Sequence, residues 1–137
     1  VPTATPFYLF RTLPAQKYPN CAVRTLYGKV QTRFGALYAD VRVSIIGSDG
    51  KGVATTSLLN YIRGSTDRNY EINLNDPDQR GHTIAPLAPG TYTVTALDVG
   101  NAPVSPAVVI QLSAQTDQCG AGQAGGQVWQ VDFVYNQ

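Results

Sequence analysis

From Cys21 to Tyr135 apolar residues recur at every second position in short runs, and each run stops at a cluster of Gly, Pro, Asn, Asp or Ser. That period sends alternate side chains to opposite faces of an extended strand, and no stretch carries the 3.6-residue spacing of a helix. Val41, Val43 and Ile45 alternate with Arg42 and Ser44; Tyr70, Ile72 and Leu74 alternate with Glu71 and Asn73; Tyr92, Val94 and Ala96 alternate with threonines. Further strands are expected in CAVRTLYGKVQT, VATTSLLNYI, PAVVIQLS and VWQVDFVY, the last with Trp129, Val131, Phe133 and Tyr135 on one face and Trp129 in the core. Ser48 to Gly52 reads as a hairpin turn. Lys17 to Asn20 reads as a turn cluster. About seven strands at roughly 10- to 15-residue spacing describe an antiparallel β-sandwich. Composition agrees, since one Glu, three Lys and no Met leave few good helix formers.

At 137 residues the chain has the length of one domain, with 43% apolar residues for a core. The net charge is +1, and the ten basic residues are scattered without a run, which argues against nucleic acid as a partner. No apolar run approaches the ~18 residues of a membrane-spanning helix, so no membrane insertion is expected. The absence of Met is expected to reflect removal of a secretory signal, or excision from a longer protein. Cys21 and Cys119 fit an exported or cell-surface protein with one disulfide; two unpaired buried thiols are the alternative.

The string LAPGTYTVTA, Leu87 to Ala96, resembles the L-x-P-G-x-Y-x-V segment of carboxypeptidase regulatory-like and transthyretin-like, or Ig-like, extracellular modules. There Pro89-Gly90 makes a tight turn, and the Tyr92 hydroxyl is placed to bond back to backbone. Gly28 to Val30, Asp40 to Ile45 and Thr66 to Leu74 follow in an order similar to the family's, with Asp40 and Asn69 standing where glycine is usual. The match spans roughly residues 28 to 112. The resemblance implies an all-β, Ig-like sandwich and a non-catalytic role as stalk, spacer, adhesive or sugar-binding accessory, though fold alone does not settle function.

The residues point to no enzyme, cofactor or metal. His82 is the sole imidazole, in a polar loop, and no serine sits in a nucleophile elbow. Asp40, Asp49, Asp67, Asp76 and Asp78 fall in turns, where aspartate serves the local backbone. Asn73, Asn75, Asp76 and Asp78 make a faint oxygen cluster without the spacing of a calcium loop. Thr3 and Thr5, beside prolines, are compositional candidates for O-linked sugar.

Two roles remain. Residues 1–14 divide into a Pro/Thr linker, VPTATP, and an apolar strand, PFYLFRTL, ahead of a sandwich over 15–137. This extension resembles a pilin donor strand: Phe7, Leu9 and Leu13 would face one way and Tyr8 and Phe10 the other, inserted into a neighbouring copy. Such a head-to-tail contact propagates into a homopolymeric filament. The same segment folded back in cis, as the domain's own edge strand, is the competing arrangement. The other role is a carbohydrate-binding module, with Tyr18, Tyr38 and Tyr61 as stacking faces for surface glycans. An inert spacer in a larger surface protein is a third.

Overall fold

The computed structural model describes residues 7–77 and 85–137. The expected linker VPTATP with Thr3 and Thr5, and the loop carrying Asp78 and His82, lie outside the described residues.

The described residues are all-β apart from one 3-10 turn at Ile62–Gly64. Eleven strand segments appear rather than seven. They are β1 (Phe10–Thr12), β2 (Gln16–Tyr18), β3 (Thr25–Gly28), β4 (Val30–Gln31), β5 (Arg42–Gly47), β6 (Gly52–Thr56), β7 (Tyr70–Asn73), β8 (Gly90–Leu97), β9 (Val108–Leu112), β10 (Val128–Gln130) and β11 (Phe133–Tyr135). One layer is the antiparallel sheet β6-β5-β8-β9. The facing layer, the first because it holds the chain's first four strands, is made of β1-β11-β4 and β2-β10-β3-β7, two small sheets that follow the same three chain paths; β6-β5-β8-β9 is the second layer.

The count rises because those three paths break at one level. Leu13–Ala15 face only two residues, Val131 and Asp132, between the pairs Thr12↔Phe133 and Gln16↔Gln130. An extra residue on one strand is a bulge, which bends the sheet locally. Pro14 lacks an N–H for the ladder, so the neighbouring donors are met otherwise. Leu13 N–H donates to the Asp132 carbonyl, and Lys29 N–H donates to Asp132 Oδ1 at 2.9 Å. Burial pushes the Asp132 carboxyl above its ordinary value, against the pull of the Lys29 hydrogen bond and charge.

Three further expectations change. The layer is mixed rather than purely antiparallel, because β10 and β11 run parallel to β3 and β4. Residues 16–18, which overlap the expected turn cluster at Lys17 and Tyr18, form an edge strand on β10. The VATTSLLNYI strand also ends early, at Thr56. Ser57 turns the chain: its Oγ accepts from Val41 N–H and donates to the Tyr38 carbonyl.

The core follows the period-2 reading. Val41, Val43, Ile45, Tyr70, Ile72, Leu74, Tyr92, Val94 and Ala96 are all buried between the layers. The Tyr92 hydroxyl donates to the Ala88 carbonyl at 2.7 Å, as the Pro-Gly-x-Tyr spacing predicts. Tyr70 is fully buried, donates to the Val131 carbonyl, and has its phenol pushed well up by desolvation. Trp129 is only partly buried; it packs on the core, and its Nε1 donates to the Gly126 carbonyl. Cys21 and Cys119 form a disulfide across a sequence separation of 98 residues.

Of the two positions where the resemblance has glycine, Asp40 takes the left-handed backbone, with φ 68°. Asn69 does not; its buried side chain is a junction. Its Oδ1 accepts from Val30 N–H, and its Nδ2 donates to the carbonyls of Val30, Tyr38 and Leu58.

Candidate functional site

On β3 the core-facing residue is Leu26, so Thr25 and Tyr27 face outward. Cross-strand pairing then sets two rows across this outer face. Tyr18, Val128, Thr25 and Asn73 form one, and Gln16, Gln130, Tyr27 and Glu71 form the next. Outward residues of a sandwich normally meet water, yet Thr25 and Tyr27 are 8% and 7% exposed. The segment 57–69 covers them. Leu58 N–H donates to the Asn69 carbonyl and Ile62 N–H to the Arg68 carbonyl, closing the segment on itself. The Arg68 guanidinium lies over the Tyr27 ring, 3.7 Å from its centroid, a favourable cation–π placement.

Between this cover and the edge strand lies a groove. Its first hollow, about 420 Å³, is lined by Tyr18, Asn20, Tyr27, Arg68 and Val128 among others. A second hollow, about 430 Å³, is lined by Leu58, Ile62 and Asn73. Val23, Thr25, Arg63 and Glu71 belong to both, so the two adjoin. Each falls within the roughly 300–1,000 Å³ range of small-ligand sites.

The charges in the groove are paired with one another. Arg63 Nη2 contacts both Glu71 oxygens, at 2.7 and 2.6 Å. Arg68 Nε donates to Asp67 Oδ1 at 2.9 Å, and its Nη1 reaches Glu71 at 3.4 Å. The Arg68 hydrogen bond holds the Asp67 carboxyl below its ordinary value. Burial works against the Arg68 charge, but Asp67 and Glu71 outweigh it and hold the guanidinium above its ordinary value. Burial, reinforced by Asp67, pushes the Tyr27 phenol up.

Arg63 itself has a left-handed backbone, φ 51° and ψ 31°, followed by Gly64 at φ 71°. For a residue with a Cβ that conformation costs about 1–2 kcal/mol, and strain of this kind clusters at functional sites.

The three expected stacking tyrosines are not brought together. Tyr18 is 41% exposed and walls the first hollow. Tyr61 is exposed on the covering segment beside Ile62 and does not line the groove. Tyr38 stands in an aromatic cluster, with its ring centroid 5.2 Å from both Phe10 and Tyr135.

The expected donor-strand residues lie along their own domain. β1 pairs antiparallel with β11 of the same chain, and Phe10 is buried in the core. Leu13 and Tyr8 are half-buried, while Phe7 and Leu9 are exposed. This is the cis arrangement.

The oxygen cluster serves the fold. Asn73 Oδ1 accepts from the N–H groups of Asn75 and Asp76, and Asn75 Oδ1 accepts from Arg24. Among the described residues no three His, Cys, Asp or Glu side chains converge as metal ligands.

The sequence reading does not mark Arg63, Arg68 or Glu71 as site residues. The available signal was the i, i+3 pair Arg68 and Glu71 at the entry to a strand. Comparison with protein-family models, with curated proteins and with solved structures finds no match to this chain.

Proposed function

We propose that the chain is a non-enzymatic binding module of an exported or cell-surface protein, and that it holds carbohydrate in the groove on the outer face of its first layer. The observation that carries this reading is the make-up of the groove. An exposed tyrosine ring stands beside a set of planar hydrogen-bonding groups, Asn20, Asn73, Glu71 and the two arginines. Sugar rings offer an apolar C–H face for a tyrosine and hydroxyls for amide, carboxylate and guanidinium groups. The disulfide is compatible with an oxidising location, and among the described residues no helix is long and apolar enough to cross a membrane.

The test is a glycan-binding screen on the whole chain beside Tyr18→Ala. Binding that Tyr18→Ala abolishes, with thermal unfolding unchanged, supports the reading. Binding that ignores Tyr18, or no glycan binding at all, overturns it.

A second reading, a structural subunit joined head-to-tail by its N-terminal strand, is favoured by one specific feature. The β1–β2 segment is an edge strand, and the disulfide at Cys21 pins the chain just after it. The segment can therefore leave its own sheet and pair with β11 of a neighbour without loosening β3. Negative-stain microscopy of the protein and of a variant lacking residues 1–13 decides this. Filaments that vanish on truncation support strand exchange; monodisperse monomers in both samples sink it.

A further inference from the structure

We propose that the groove takes a neutral oligosaccharide of at least two pyranose rings, one against Tyr18 and the next over Leu58 and Ile62, with the Arg63–Glu71 pair at the linkage between them. The inference rests on the carbohydrate reading above and narrows its ligand in two respects, charge and length.

Charge comes first. The two guanidinium groups face two carboxylates, Asp67 and Glu71, and each of the four is already in an ion pair. Their charges cancel, leaving no net field to draw in a uronic or sialic acid. A ligand carboxylate would have to displace Glu71 from a two-oxygen contact with Arg63. Vicinal hydroxyls meet no such barrier. One donates to the remaining lone pair of Glu71 Oε2 and others accept from the remaining guanidinium N–H groups, with the ion pairs intact.

Length follows from the shape. The two hollows differ in chemistry: the first carries Tyr18 and Asn20, the second the aliphatic Leu58 and Ile62. Arg63 and Glu71, with Val23 and Thr25, line both. A single ring occupies one hollow and leaves the other to water. A second ring fills it and meets the same Arg63–Glu71 pair from its other side.

Calorimetric titration of the whole chain tests this. The probes are neutral mono-, di- and tetrasaccharides of gluco, galacto and manno configuration, with a uronic acid disaccharide as the charged probe. The expected result is a gain of about tenfold or more from the mono- to the disaccharide, with the uronate weaker than its neutral counterpart. Leu58→Ser, which touches only the second hollow, is expected to remove the disaccharide gain while leaving monosaccharide binding in place. Leu58 is half exposed, so Leu58→Ser is the variant that leaves folding unaffected. Equal affinity for mono- and disaccharide, or tighter binding of the uronate, overturns the inference and leaves the carbohydrate reading standing. Binding by none of the sugars removes both.

Discussion

The outer faces of the two layers differ in what covers them. In the layer β6-β5-β8-β9, β8 alternates strictly between buried and partly exposed residues, and the outward Arg42, Ile46 and Val109 meet solvent. In the other layer every residue of β3 is buried. A sandwich needs one buried face per sheet; β3, in the first layer, is buried on both, whereas Gln16–Tyr18 and Asn73 on the flanking strands are exposed. A second buried face brings polar groups out of water, and these are costly unless paired. The Tyr27 hydroxyl donates to Gln130 Oε1 under the Arg68 guanidinium, and on the covering segment Asn69 and Ser57 donate to the Leu58 and Tyr38 carbonyls. The groove is the margin of that cover; the second layer's outer face carries a hollow of its own, about 400 Å³, lined by Arg42, Ser44, Ile46 and Leu97 among others.

The largest expected effect tests whether the covered layer also depends on the disulfide. Cys21 precedes β3 and Cys119 precedes β10, both in the first layer. For a loop near 100 residues the chain-entropy model gives ~4.7 kcal/mol. Reduction is expected to lower stability in denaturant titration by several kcal/mol on that scale. Amide exchange should rise more in β3, β7 and β10 than in β5 and β8. Equal loss in both layers would break the distinction.

The cover itself comes next. Asn69→Ala strips partners from Val30 N–H and three carbonyls. Leaving buried groups unpaired costs about 1–3 kcal/mol. Thr95→Ala, on the open face of the second layer, is expected to stay within about 0.5 kcal/mol. Chemical denaturation of both variants measures the contrast, and equal losses would remove it.

The smallest effect is a pH dependence of opposite sign at two carboxylates of the first layer. Asp67 titrates lower in the folded state than its ordinary 3.8. It therefore contributes stability above pH 3.8 that is lost as pH falls through its depressed folded value. Asp132 titrates higher than 3.8. Its protonated form favours folding below 3.8, and that contribution is lost as pH rises through its raised folded value. Tm against pH should therefore fall less steeply in acid for Asp67→Asn. For Asp132→Asn, whose amide oxygen still accepts from Lys29, Tm should be raised toward neutral pH. Identical profiles for both variants would show that neither group differs from its unfolded state.

Where one face alone is buried, the strands were legible. Val41, Val43 and Ile45, or Tyr92, Val94 and Ala96, announce themselves because period 2 separates core from solvent. The same rule misleads at Gln16–Tyr18, three exposed residues whose strand exists because β10 is there to pair with. Trp129 to Tyr135 looked like one strand, but the bulge opposite Pro14 divides it. At the candidate site Tyr18 was legible as an aromatic beside turn residues. Tyr27 read as an ordinary strand residue, and Asn69 as a turn replacement for glycine rather than a hydrogen-bond junction.

The sequence by itself determined the all-β class, the alternating core and the Tyr92 hydroxyl's return to the backbone, because each depends on neighbours within a few residues. Only the tertiary structure decided that the N-terminal strand lies in cis beside the C-terminal one, that two pairings are parallel, and that Arg63 and Arg68 meet Glu71 above Tyr27. Those contacts join residues far apart along the chain or across a loop. Their energies depend on distance and burial, which no local pattern of residue types encodes.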